Sequence, residues 1–264
     1  MRDMDRKVIN YWSLKVKEYW GRRLLYDTRR LIVFTLNILV EKKPHTILDV
    51  GCGPGIFTYI LSLFKYSYIV STDIAVLMTK EAKKRVNSIN VEFIVADAQH
   101  MPLRSSSIDY VIAYRVLEYL LNLVKGLMEI ERVLKPGGIA SVQLPSKSGF
   151  MLLAFPSLLL KLLSKITKYK FVISLFEASI LRNYYTPSQL IEYLRKSRLI
   201  PIYITGYEVN PFAVIQATLL RHESKLSRII DIIVDKLSSY LESKLSPLLL
   251  AVLSLNIYAL IMKR

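Results

Sequence analysis

Cysteine occurs once in the 264 residues, at Cys52. No internal disulfide and no cysteine-built zinc cluster can therefore form, and the expected location is a reducing cytoplasm. Acids are scarce beside bases: 21 Asp and Glu against 37 Lys and Arg leave a formal charge of +16. That excess points to an anionic partner, either nucleic acid or a membrane surface. Apolar runs of about 18 to 20 residues, the length that spans a bilayer, are missing, although 52% of the residues are hydrophobic and mean hydropathy is +0.32. The opening M-R-D-M-D-R-K carries both charge signs with no apolar core beside it, unlike a secretory leader. Residues 31–40 imitate such a core behind Arg29 and Arg30, but they lead through Glu41, Lys42, Lys43 and Pro44 into a strand and so read as a helix. Internal repeats and low-complexity linkers are absent as well, and the length suits one domain with elaborations.

The stretch 46–56, T-I-L-D-V-G-C-G-P-G-I, organises the chain. Ile47, Leu48 and Val50 read as a buried parallel strand, and Gly51, Gly53 and Gly55 follow with room for a tight turn into a helix. Glycine permits positive φ and close approach of a ligand to the backbone, and the next helix offers unpaired N–H groups. A tight connection alone would need the same residues. A dinucleotide loop wants a glycine where Ile56 stands, and no Lys-Ser or Lys-Thr closes the loop as in a Walker motif. Cys52 reads as a small spacer in this loop.

Acid-x-Gly-x-Gly-x-Gly, from Asp49 to Gly55, resembles motif I of the class I S-adenosylmethionine-dependent methyltransferases. Two further stretches carry the resemblance: A-D-A-Q-H-M-P-L from Ala96, and R-V-L-K-P-G-G from Arg132, which ends a helix and feeds a strand. It covers 46–144 firmly and 184–264 loosely. The resemblance implies an α/β fold: a doubly wound, mostly parallel seven-stranded sheet, the last strand antiparallel, with helices on both faces. N-terminal helices and a helical lid insert would be added to it. The expected parts of this single domain are N-terminal helices (1–43), the cofactor-binding core (44–146), the insert (147–183) and the rest of the sheet with a helical excursion (184–264).

The implied cofactor is S-adenosylmethionine, leaving as S-adenosylhomocysteine, held by Asp49, Gly51, Cys52, Gly53, Gly55, Asp73, Ile74, Asp97, Ala98 and Tyr114. Asp73 lies about 20 residues past the loop, where a nucleotide-binding unit places its ribose acid; the alternative is a helix N-cap. By the resemblance Ile74 walls the adenine, Asp97 accepts from its amino group and the Ala98 N–H reaches the ring. Tyr19 or Trp20 would either cover the cofactor or pack in the core. No metal site is expected. Methyl transfer from a sulfonium needs positioning above all; if the acceptor is a hydroxyl, the candidate bases are Tyr114, Glu118, Tyr119, Tyr184 and His100.

Residues 146–176 hold five lysines and no acid, with Lys161, Lys165 and Lys168 along one helical stripe. Such a segment is an ordinary lid, a roof over the acceptor, a contact for anionic lipid, or the last two together. The family's N-P-P-aromatic motif for amino groups and its Pro-Cys for pyrimidine C5 are both absent. The expected acceptor is a small hydrophobic or amphiphilic molecule, quinone-like or lipid-like, with peripheral contact at the inner membrane face. Nucleic acid is the lesser expectation, and the alternatives are an RNA or protein methyltransferase or a cofactor-binding partner subunit without chemistry of its own.

Overall fold

The computed structural model describes residues 3–15, 22–149, 151, 182–207, 236, 237, 239, 240 and 243–264. The elements run α1 (Asp3–Lys15), α2 (Arg22–Lys42), β1 (Thr46–Val50), α3 (Ile56–Ser62), β2 (Tyr68–Asp73), α4 (Val76–Arg85), β3 (Val91–Val95), β4 (Ile108–Ala113), α5 (Leu123–Val133), β5 (Leu134–Pro145), α6 (Pro187–Lys196), β6 (Leu199–Tyr207), α7 (Pro247–Leu253) and β7 (Asn256–Lys263). Tyr19, Trp20, the lysines 161, 165 and 168, and most of residues 212–254, where the helical excursion is expected, lie outside the described residues.

Seven strands form one sheet in the order β3-β2-β1-β4-β5-β7-β6. The first five pair in parallel, with Thr46 to Val50 of β1 matched to Tyr68 to Thr72 of β2 and Ile47 to Asp49 matched to Tyr110 to Ile112 of β4. Ile47, Leu48, Val50, Ile69, Val111 and Ile112 are all buried. Burial on both faces explains the adjacent apolar residues within β1, β2 and β4, whereas β3, at the edge of the sheet, is only part-buried. β4 and β5 shift register between Ile108 and Tyr110. The Pro-Gly-Gly turn expected between α5 and β5 sits in that irregularity, Gly137 at φ +73, and strand pairing already begins at Leu134. Asp109 pins this end of the sheet: its carboxylate accepts from the N–H and hydroxyl of Thr46 and from Lys135 Nζ, at 2.7–2.8 Å. Burial opposes ionisation of Asp109, but the Lys135 and Thr46 hydrogen bonds outweigh it and hold the carboxyl below its usual range.

The chain divides into two compact units: 1–143 with 191–203 and 259–264, and 144–190 with 204–258. In the second, Tyr185 bridges Ser146 in parallel, and α6 starts on a reciprocal cap: Gln189 N–H donates to Thr186 Oγ1 at 3.2 Å while the Thr186 N–H donates back to Gln189 Oε1 at 3.0 Å. Pro187 opens the helix behind that cap. Ser246 accepts from the Leu249 N–H in the same way at the start of α7.

One difference from the sequence reading bears on the site. The pattern of residues 114–119, directly after the fourth strand, predicts the opening of a helix; they form instead a loop with a single 3-10 turn at Leu117–Tyr119, and α5 starts at Leu123 behind the Asn122 cap. Arg115 takes a positive φ of 57, and its N–H donates to Gln143 Oε1 at 2.9 Å. A bond to β5 thus holds the chain out of the helical conformation just past the end of β4.

Candidate active site

A cleft of about 1040 Å³, its open mouth included, lies in the first unit where β1, β2, β3 and β4 end. Its walls are the glycine loop (residues 51–54), Asp73 and Ile74 at the end of β2, residues 96–99 after β3, and residues 114–116 after β4, with Val8, Trp12 and Thr28 contributed by α1 and α2. Four consecutive strands of a parallel sheet therefore deliver their following loops to one place, the usual ligand position in such folds.

The three loop glycines have separate reasons. All have positive φ, +70, +53 and +91 at Gly51, Gly53 and Gly55. A Cβ on Gly51 would meet Val116 at 2.5 Å, and one on Gly55 would meet Ala82 of α4 at 3.0 Å, whereas one on Gly53 would meet nothing within 4 Å. Only Gly53 faces open space, so close approach of a ligand is required of it alone; Gly51 and Gly55 admit other parts of the protein. The loop is anchored to β2, since the Gly51 and Cys52 N–H groups donate to the Thr72 carbonyl at 2.7 and 2.9 Å.

Asp73 closes one side. Its Oδ2 accepts from the Gly53 N–H at 2.9 Å and its Oδ1 from the Ala75 N–H at 2.8 Å. The second bond closes a turn ahead of α4 and is not the helix cap considered as an alternative: Ala75 holds the cap position, and no side chain caps the helix. Burial raises the Asp73 carboxyl, and the two N–H bonds partly offset that rise. Asp97 accepts from the Gln99 N–H at 2.8 Å, and Ala98 is buried next to it. Two carboxylates in the cleft lining at successive strand ends, each followed by an apolar residue, the first of them beside Gly53, fit an adenosine bearing a cationic sulfonium.

Asp49 is not part of the cleft lining. It is buried behind the loop, where it accepts from Thr58 Oγ1 at 2.6 Å, and Thr58 lies 3.0 Å from Ser71 Oγ. Burial raises its pKa to about 7, the Thr58 bond opposes this, and the Asp73 charge adds to it. Cys52 lines the cleft, but burial, reinforced by Asp49 and Asp73, pushes its thiol well above the usual value. That suits a spacer and not a nucleophile.

Of the candidate bases, Tyr114 and Tyr119 line the cleft and Glu118 and His100 do not; Tyr184 belongs to the second unit. Tyr114 is buried, its ring edge-on to Phe57 with centroids 4.9 Å apart and its hydroxyl 3.1 Å from Thr35 Oγ1. Burial keeps its phenol protonated far above neutrality, so Tyr114 shapes the wall and is no base at neutral pH. His100 is exposed and lies beside Asp97 and Lys125. Trp12, edge-on to Tyr119 with centroids 5.5 Å apart, and Gln99 have no distinguishing signal in the sequence: Trp12 is one of several apolar positions on α1.

Comparison with known proteins agrees with the geometry. A methyltransferase-domain family model matches residues 48–142. Over 123 residues the chain is 31% identical to the uncharacterized methyltransferase YdaC of Bacillus subtilis, covering 46% of this chain and 68% of that protein. Over 109 residues it is 33% identical to a malonyl-[acyl-carrier protein] O-methyltransferase of Methylovorus sp. (strain MP688), covering 38% of this chain and only 37% of that protein's length. A solved S-adenosylmethionine-dependent methyltransferase from Thermotoga maritima superposes with a TM-score of 0.59 over 96% of this chain and 98% of its own, at 16% identity, and so speaks for the fold.

Proposed function

The chain belongs to the class I S-adenosylmethionine-dependent methyltransferases, and from that premise we propose that it methylates a small hydrophobic or amphiphilic acceptor. The observation that carries the acceptor class is the apolar share of the cleft lining, which includes Val8, Trp12, Phe57, Tyr114, Tyr119 and Leu120. Several relatives are named for a methyl transfer onto malonyl-[acyl-carrier protein], an acyl-type acceptor, which supports the same class.

S-adenosylmethionine supplies an electrophilic methyl group on sulfur. The residues of this chain hold and enclose it. Asp73 offers carboxylate oxygen to the two ribose hydroxyls, Ile74 packs on the adenine, and Asp97 with the Ala98 N–H reads the edge of the ring. Trp12, Phe57 and Leu120 exclude water from the reacting pair. In-line displacement gains most of its rate from holding donor and acceptor in contact, at about 3 to 3.5 Å. Peripheral binding at the inner face of the membrane, through the lysine stripe of the insert, is part of the proposal and would give a greasy acceptor a short path; the excess of basic residues supports it. Among the described residues no helix is long and apolar enough to cross a membrane.

The test is incubation with methyl-labelled S-adenosylmethionine and fractionated cell extract. Label in an organic-soluble or acyl-carrier fraction is the expected result. Label confined to RNA or bulk protein would overturn the acceptor class.

A further inference from the structure

We infer that Glu129 and Arg132 of α5 are positioning residues for adenine recognition, acting through the loop that follows β3. The inference rests on the reading of Asp97 and Ala98 as the adenine contacts. Neither α5 residue lines the cleft, and in the sequence Arg132 belongs to a stretch read only as a helix end. Their side chains do more than end a helix. Glu129 Oε2 accepts from the Met101 N–H at 2.9 Å. Arg132 donates from Nη2 to the Met101 carbonyl at 2.9 Å and from Nη1 to the Leu103 carbonyl at 2.6 Å, with Ser105 Oγ at 3.4 Å. The same guanidinium is locked to Glu129 through Nε and Nη2, both at 2.8 Å. The Arg132 bond, more than the opposing effect of burial, holds the Glu129 carboxyl below its usual range and keeps it an acceptor.

Two side chains of one helix therefore satisfy the backbone of residues 101 and 103, and Pro102 between them has no N–H to place. The turn that starts at Asp97 stands on this foot. The His100 N–H closes it onto the Asp97 carbonyl at 2.9 Å, the Gln99 N–H fixes the Asp97 carboxylate at 2.8 Å, and Gln99 Oε1 accepts from the Asn122 N–H, at the cap of α5, at 3.2 Å. Farther on, Ser106 and Ser107 donate to the Arg132 and Val133 carbonyls. The whole loop is thus referenced to α5. A planar guanidinium can address two carbonyls and a carboxylate together, which a lysine ammonium cannot do in one geometry. Releasing the foot lets Asp97 drift from the ring edge, and a misplaced hydrogen-bond acceptor loses discrimination before it loses all affinity.

The readout is the ratio of dissociation constants for S-inosylhomocysteine and S-adenosylhomocysteine, which differ at the 6-position, measured calorimetrically. Wild type should prefer the adenosyl compound by about 10-fold to 100-fold. Arg132→Met should reduce that ratio by at least about fivefold, with Glu129→Gln and Arg132→Lys giving smaller losses in the same direction. Asp109→Asn, which loosens a different tie between strands, should lower the melting temperature and leave the ratio alone. If Arg132→Met does not fold, the two conservative variants decide. A wild-type ratio in the folded Arg132 and Glu129 variants, while Asp97→Ala abolishes it, overturns the inference and spares the cofactor reading. A wild-type ratio in Asp97→Ala overturns both.

Discussion

Asp49→Asn should make the ligand-free protein more stable at alkaline pH and flatten its stability against pH. The carboxyl is buried behind the glycine loop with Thr58 as its partner, and burial moves it from 3.8 to about 7. A tenfold change in proton affinity is worth about 1.4 kcal/mol, so the full displacement corresponds to about 4 kcal/mol. The sign follows from proton uptake. Above pH 3.8 the unfolded chain releases this proton while the native chain keeps it to about pH 7. Native stability from Asp49 therefore falls as pH rises through that window, and the loss is complete above it. Part has already occurred by about pH 5, leaving about 2 to 3 kcal/mol between there and about pH 8.5. Asparagine keeps the shape and the acceptor for Thr58 but has no charge to bury. Urea unfolding of both proteins across that range should show the variant gaining on wild type by this amount; Asp109 and Glu129, held low by their partners, act with the opposite sign but cancel in the difference. Parallel curves at all pH values would mean that Asp49 ionises as it does in water, and the account of its burial would be wrong.

Asp73→Ala should weaken S-adenosylmethionine binding by about 10-fold to 100-fold by calorimetry, as expected for a hydrogen bond to a charged group, and Asp73→Asn by less; unchanged affinity would remove the residue from the site. Gly55→Ala forces φ +91 on an alanine whose Cβ lies 3.0 Å from Ala82 and should cost about 1 to 3 kcal/mol in urea unfolding, while Gly53→Ala should cost about 1 kcal/mol and act mainly on cofactor affinity. Equal stability losses at the two positions would contradict their separate roles. Lys161, Lys165 and Lys168 changed together to Glu should abolish sedimentation with anionic vesicles and leave S-adenosylmethionine binding intact; absence of vesicle binding in the wild type at low salt would end the membrane proposal.

The parallel half of the sheet was legible because strands covered on both faces are mostly apolar, and β1, β2 and β4 each carry such a run: Ile47 with Leu48, Ile69 with Val70, and residues 110–113. Asp73 was legible because it ends a strand at the spacing of a nucleotide-binding unit, and Asp97 through the resemblance of the stretch 96–103 alone; both line the cleft. Contacts between distant residues were not. Thr35 and Tyr114 are 79 residues apart, and the Arg115 bond to Gln143, which keeps residues 114–116 out of a helix, spans 28. Local pattern favoured a helix there; one long-range acceptor decided otherwise. Asp49 shows the same limit at short range, since a strand-end acid before a glycine loop carries no sign of whether its side chain faces the ligand or Thr58.

The glycine loop carries this furthest. In sequence Gly51, Gly53 and Gly55 are equivalent, each explained by positive φ and by backbone exposed to a ligand. In the structure the φ argument holds for all three and the ligand argument for Gly53 alone. Gly51 yields to Val116, in the loop held out of a helix by Gln143, and Gly55 to Ala82 of α4. Two of the three glycines thus let neighbouring elements close on the turn, and that closure leaves the third facing the cleft. A motif of this kind records packing as much as binding. A Cβ at Gly51 would press on Val116 and so reach the site through the β4 loop, without its own side chain entering the cofactor's volume.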